Sequence, residues 1–332
     1  MGDVLVDFKT RRDAVQRSQV GALGMTMAFS ERAYDDNLNG LDNLSLDYAM
    51  GNWKLGASYQ HYLTDGVSRF SGMSNPVMGL ASNALVSDVK YNAGKWAFGA
   101  RAFSGAITDE GLLEHDPTIS SQYMPAKLGL VQGGATYVGW TGDGLSVGAS
   151  IGNAHETNTI LGAQTGGLLE LGGGDTVFVD TTVQYKVSDR IDLTARATFA
   201  HTTSSANGEF VMGISGIDSN AFAFGANVGN FEFSLSQPLA ITDGGLQYAY
   251  AEYDVVKSAN NKYDLNVVDT HIENLSLEPE KRELRLMGTY RHRFGEFTDG
   301  ALGFIYRINP NHTDDFGNES IFMLKLSHRL GI

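Results

Sequence analysis

The chain has 332 residues, of which 40 are glycine, 6 proline and none cysteine; charged residues make up 19% and the net charge is −14. The missing cysteines exclude disulfides, thiol catalysis and thiolate metal sites. The acidic balance excludes nucleic acid as a partner, because phosphate binding needs a basic surface.

No composition break divides the chain, and many strands joined by polar connections suit this glycine and proline usage. No run of about eighteen apolar residues occurs, so no transmembrane helix is encoded. Met1 to Thr10 lack the basic start and apolar run of a signal peptide. The expectation is that a signal has already been removed, or that this chain is the C-terminal part of a longer precursor.

Residues 1–17 read as a linker or passenger remnant. Val4, Val6 and Phe8 alternate, and Lys9, Arg11, Arg12 and Arg17 follow in a basic stretch that suits either a strand end leading to a helix near Thr10 or an extended lead-in. From 18 to 332 one unit recurs: a short turn, an aromatic beside it, then about ten alternating residues, the length of a tilted strand that crosses a bilayer. The hairpin at Asn92-Ala93-Gly94 shows it most clearly, with Val89 and Tyr91 against Asp88 and Lys90, then Trp96, Phe98 and Ala100 against Lys95, Gly99 and Arg101.

Strands are expected at 18–30, 42–50, 53–62, 84–91, 95–107, 127–140, 144–154, 175–187, 190–203, 218–228, 231–241, 276–294, 301–309 and 319–332. The fold class is therefore all-β, an antiparallel transmembrane β-barrel of 12–14 strands with 14 favoured. Leu246, Tyr248 and Tyr250 form a further strand, extend a neighbour, or belong to an external hairpin. Connections alternate in length. Gly51-Asn52, Asn92 to Gly94, Thr141 to Gly144, Val187 to Asp189 and Gly229-Asn230 are short, and those between them are long. In outer-membrane barrels short turns face the periplasm and long loops face outside.

Trp53, Trp96 and Trp140 each adjoin a short turn, joined by Tyr91, Tyr185, Phe231 and Phe294, which is the pattern of an aromatic girdle at one membrane interface. Tyr59, Phe199, Tyr306 and Phe322 are candidates for the other. Alternation then places Leu193, Ala195, Ala197 and Phe199 toward lipid and Asp192, Thr194, Arg196 and Thr198 inward. The same phase turns Arg101, Arg285, Arg291, Arg293, Arg307, Lys325 and Arg329 inward. Three readings of these cations stand open: an anion-preferring channel, a grip on an acidic segment threaded through the pore, or pairing with inward Asp88, Asp180 and Asp192 that fills a narrow barrel.

Other motifs carry less chemistry. Gly148-Ala149-Ser150-Ile151-Gly152 matches a nucleophile elbow, but that motif needs a strand-to-helix turn and here it lies within an alternating strand. Asp269-Thr270-His271 resembles the Asp-x-His pair of omptin proteases without their second acidic pair. Leu171-Gly172-Gly173-Gly174-Asp175-Thr176 opens a strand, so no helix N-terminus is there to hold phosphate. The histidines show no metal-ligand spacing, and neither a metal nor another cofactor is expected. Acidic clusters at Glu31, Asp35 and Asp36, at Asp109, Glu110, Glu114 and Asp116, and at Asp314, Asp315 and Glu319 read as solvated loop tips, or as bridges to lipopolysaccharide through divalent ions.

From Leu171 onward the chain resembles the autotransporter-like barrel found behind subtilisin-like serine protease domains in Gram-negative bacteria. The matching pieces are Leu171 to Phe178, Ser219-Asn220-Ala221-Phe222-Ala223-Phe224, Ser234-Leu235-Ser236-Gln237-Pro238-Leu239, Leu277-Glu278-Pro279-Glu280-Lys281-Arg282-Glu283-Leu284, and Tyr306-Arg307 followed by Asn309-Pro310-Asn311-His312. The resemblance covers about 130–332. It implies a non-enzymatic translocator and anchor in the bacterial outer membrane, inserted by the outer-membrane assembly machinery, contacting lipid and lipopolysaccharide and carrying a covalent passenger upstream. The alternative is a porin-like channel for small, preferentially anionic solutes. A third reading, an outer-membrane hydrolase working near His271, remains as the enzyme class.

Overall fold

The computed structural model describes residues 2–10, 15–20, 22–30, 40–62, 73–107, 129–163, 171–206, 211–257, 263–295, 298–313 and 317–328. Nineteen strands run through them: β1 (Gly2–Thr10), β2 (Val15–Val20), β3 (Leu23–Ser30), β4 (Gly40–Met50), β5 (Trp53–Tyr62), β6 (Ser82–Ala93), β7 (Trp96–Ile107), β8 (Gly129–Gly142), β9 (Leu145–Thr157) and β10 (Leu171–Ser188). The remainder are β11 (Ile191–Ala206), β12 (Val211–Ile214), β13 (Ile217–Val228), β14 (Phe231–Asp243), β15 (Gly245–Lys257), β16 (Tyr263–Ser276), β17 (Leu284–Arg293), β18 (Thr298–Ile308) and β19 (Glu319–His328).

Sixteen of these form one sheet, ordered β1-β19-β18-β17-β14-β13-β11-β10-β9-β8-β7-β6-β5-β4-β3-β2. Setting aside β1 and β2 at its two ends leaves fourteen strands in an antiparallel meander, one for each strand expected from the sequence. Four of the five tight turns form because residues there tolerate positive φ: Gly51, Gly94, Gly229 and the pair Asp143-Gly144 all lie in that region.

The N-terminal segment joins the two edges. β1 runs parallel to β19, Gly2 opposite Ser320 and Thr10 opposite His328, while β2 pairs antiparallel with β3. Only four residues separate Thr10 from Val15, a reach of at most about 18 Å. One N-terminal strand, divided between both edges, therefore closes the meander into a barrel. A helix after Thr10 is not what Val15–Val20 form; the β-branched and polar residues there pair in register with β3. Because β19 enters from the long-connection end, Gly2 lies at that end too.

Two further boundaries differ from expectation. Residues 18–30 are two strands, β2 and β3. Strand β17 starts at Leu284 instead of 276, since Pro279 lacks the backbone N–H that a ladder needs. The stretch around Leu246 to Tyr250 proves to be an external hairpin, β15 with β16, joined by β12 into a separate three-stranded sheet. Its base packs on a small apolar cluster of Ile160, Leu161, Ile214, Ile217, Ile241 and Leu277.

Candidate functional site

The alternation predicts two faces, and burial separates them. On β11, Thr198 and Ala200 are buried while Leu193 and Phe199 are exposed. On β14, Ser234 and Ser236 are buried while Phe231, Phe233 and Leu235 are exposed. Large apolar side chains are exposed all round the meander, among them Leu46, Phe98, Ile151, Val179, Phe224, Leu286, Leu302 and Leu324. A continuous apolar outer band is stable only against another apolar medium, so the barrel wall faces lipid.

The girdle aromatics lie at the short-turn end. Trp53 and Tyr91 are direct partners across β5 and β6 with ring centroids 4.8 Å apart. Trp96 is opposite Trp140 across β7 and β8, and the Lys95 ammonium lies 5.8 Å from the Trp140 ring. Phe231 packs on Tyr290 at 4.6 Å, Phe294 on His292 at 4.8 Å, and Tyr185 is exposed near the end of β10.

Inside, the barrel is not hollow throughout. Between β5 and β6 the segment from Met73 to Ala81 folds against the inner wall. Asn75 starts it, its side-chain oxygen accepting the backbone N–H groups of Val77 and Met78 at 2.9 and 3.0 Å, ahead of a single 3-10 turn over Met78–Leu80. Val77 and Ala81 are fully buried. They pack with inward Phe103 and Ile107 of β7, Val131 and Ala135 of β8, Ala154 of β9, Phe178 of β10 and Ala200 of β11, and with Leu239 of β14. Burying each large apolar side chain contributes about 1.5–3 kcal/mol, enough to hold a short strap in place.

A polar clamp fixes the strap's first residue. Arg196 grips Asp180 with two nitrogens, at 2.7 and 2.8 Å, and donates a third hydrogen bond to the Met73 carbonyl. Thr198 also donates to Asp180, at 2.7 Å. Gly225 of β13 leaves room for Met73: a Cβ there would lie 2.8 Å from the Met73 methyl carbon. The strap thus touches wall strands from β6 round to β14.

Four of the inward arginines, Arg196, Arg285, Arg291 and Arg307, meet carboxylates. Glu283, just before β17, accepts hydrogen bonds from Arg285 at 2.5 Å and from Arg307 at 2.8 and 3.1 Å, and also from the Asn311 backbone N–H at 2.8 Å. Burial alone would raise its pKa, but the hydrogen bonds and charges of the two arginines prevail and hold the carboxyl at about 2. Arg307 also reaches Glu319 at 2.6 Å. Arg291 lies 3.3 Å from Glu232. In backbone register Arg101 is paired with Asp88, and Arg293 takes the position across from residue 299. Lys325 takes the register position opposite Ala301, and Arg329 lies outside the described residues.

The sequence reasoning named Asp180 as a partner but missed Glu283 and the Met73–Ala81 strap. A signal for the strap was present: Val86, Phe103, Val131 and Phe178 are apolar on the phase that should be polar. Ser150 lies within β9. His271 is in the external hairpin, 3.3 Å from Glu252 and 3.8 Å from Asp269. Among the described residues no group of three or more histidines and carboxylates is placed so that it could hold a metal ion. Of the acidic loop clusters, Glu31, Asp35, Asp36, Asp109, Glu110, Glu114, Asp116, Asp314 and Asp315 lie outside the described residues, and Glu319 serves Arg307.

No family model matches the chain. No curated protein matches it either. Among solved structures it is similar to OmpT, an outer membrane protein of Vibrio cholerae, at 12% identity and a TM-score of 0.45, over 88% of this chain and 76% of that one. A loop L8 deletion mutant of that OmpT gives 14% identity and 0.45, over 94% and 85%. A porin gives 11% and 0.43, over 90% and 86%. Strand register, outward apolar band and girdle, all in this chain itself, make it an antiparallel transmembrane β-barrel of the outer-membrane type.

Proposed function

We propose that this barrel is a passive, porin-like pore of the bacterial outer membrane for small polar solutes, narrowed from within by the Met73–Ala81 strap. The observation that carries the reading is the Arg196–Asp180 clamp on the Met73 carbonyl. It supports a fixed constriction made by the chain itself, with no need of a threaded segment. Pairing of Arg285 and Arg307 to Glu283, of Arg291 to Glu232 and of Arg196 to Asp180 argues for weak charge preference instead of strong anion selectivity. Its partners in this reading are lipid, lipopolysaccharide and the assembly machinery that inserts it, and it performs no catalysis.

A second reading, the translocator and anchor, is favoured by the direction of β1. Gly2 lies at the long-connection end, so a passenger preceding it would emerge on the external side. Reconstitution into planar bilayers separates the two. Steady conductance that rises when Ser74 to Leu80 is replaced by a short glycine-serine link supports the pore. A barrel silent in both forms overturns it and leaves the anchor.

A further inference from the structure

The external sheet ends in an edge that nothing among the described residues covers. β16 pairs only with β15 there, leaving its other side without a strand neighbour. From Val267 to Ser276 it is exposed at every residue but the half-buried His271, and Val267, Val268, Ile272 and Leu275 are each more than half exposed. Folded proteins guard such edges with lysine, proline or bulges, because unpaired N–H and C=O groups attract another strand. β16 contains neither lysine nor proline, and its one register shift falls before Asp269.

The side chains on this edge select among occupants. Glu252, Asp269, His271 and Glu273 share one face, with Tyr248 and Tyr250 stacked beside them, Tyr250 lying 5.3 Å from the His271 ring. Hydrogen bonds donated by Tyr248 and Tyr250, at 2.7 and 3.1 Å, keep Glu273 below the usual carboxylate range, so it stays ionised. A second copy is a poor match. Parallel in-register pairing sets Asp269 against Asp269, and antiparallel pairing about His271 sets Asp269 against Glu273. Like charges directly opposite are destabilising either way.

We propose that the β16 edge takes an extended segment of another protein by strand addition, with basic residues facing Asp269 and Glu273 and apolar residues facing Ile272 and Val268. Main-chain hydrogen bonds supply affinity and the alternating side chains supply the choice of partner. The site is independent of the pore.

The test uses the full chain in lipid nanodiscs and a fluorescein-labelled peptide of alternating lysine and valine, read by anisotropy. Saturable binding is expected, weakened tenfold or more in the Asp269→Asn/Glu273→Gln variant, which keeps side-chain shape and an acceptor for one of the two tyrosine hydroxyls. N-methylation of alternate peptide amides should abolish binding, and conductance should be unchanged in the variant. No binding, or binding indifferent to N-methylation or to the two substitutions, overturns the proposal. So does efficient cross-linking of His271→Cys between two copies, which would make the edge a self-interface.

Discussion

The Arg196 guanidinium meets the Asp180 carboxylate as a two-pronged fork inside the barrel wall, with both side chains about nine-tenths buried. Removing one member of a buried pair strands the other charge, at a cost of about 3–5 kcal/mol. Arg196→Met should therefore lower stability by that order in urea titrations in lipid vesicles. It should also raise single-channel conductance and noise, because the Met73 carbonyl loses its donor. Arg196→Met/Asp180→Asn should recover much of the stability without restoring the conductance. Equal recovery of both would mean that the strap is held by its apolar contacts alone.

Glu283 ties three pieces of the external mouth together: Arg285 on β17, Arg307 on β18 and the Asn311 backbone. Its carboxyl is lowered from 4.5 to about 2, so its stabilisation is complete above pH 4.5 and is lost as pH falls toward 2. The shift corresponds to at most about 3 kcal/mol. Hydrogen-exchange protection of the Asn309, Asn311 and His312 amides, relative to their intrinsic rates, should be high at pH 5 and fall near pH 2–3. Glu283→Gln should show low protection at every pH. If the wild type shows no acid step, Glu283 is not what fastens the mouth.

Much of the barrel was legible because its rules are local. Turn residues with positive φ, an aromatic beside each turn and a period of two fix strand number and facing, and each expected strand has its counterpart. What stayed hidden depends on contacts between segments far apart in the chain. Asn75 to Ala81 is too short for any period to declare itself, and it takes its conformation from the Asn75 cap, the Arg196 clamp and burial against Phe103 and Phe178. Glu283 sits in a stretch that alternation alone extends into a strand, and Pro279 is the local sign that it does not belong there. The N-terminal strand was ambiguous for another reason. Its pairing partner, β19, lies at the opposite end of the chain, and no local signal names a partner that distant.

Facing can be tested directly on β14, where Leu235 points outward and Ser236 inward. Leu235→Arg puts a cation on the lipid face, which costs about 2–4 kcal/mol at mid-depth. Ser236→Arg places the same charge inside, where Ser236 is already opposite Arg285. The first should reduce the folding free energy in vesicles by that amount with conductance intact. The second should change conductance and ion preference more than it changes lipid partitioning. Equal effects of the two would contradict a lipid-facing outer band.

The parallel seam is the least expected part of the wall, and the absence of cysteine makes it easy to probe. Val4 and Phe322 are register partners across β1 and β19, and neighbouring strands lie about 4.8 Å apart, within the Cα separation that a disulfide spans. Val4→Cys/Phe322→Cys should oxidise efficiently in the assembled barrel. Val4→Cys/Phe304→Cys should not, since Phe304 is a strand further away, opposite Phe322 on β18. If neither pair links and a thiol at position 4 reacts with reagents added to the pore, the N-terminal segment runs through the lumen instead of closing the wall. That outcome would move the balance from a solute pore to a translocator with its linker in place.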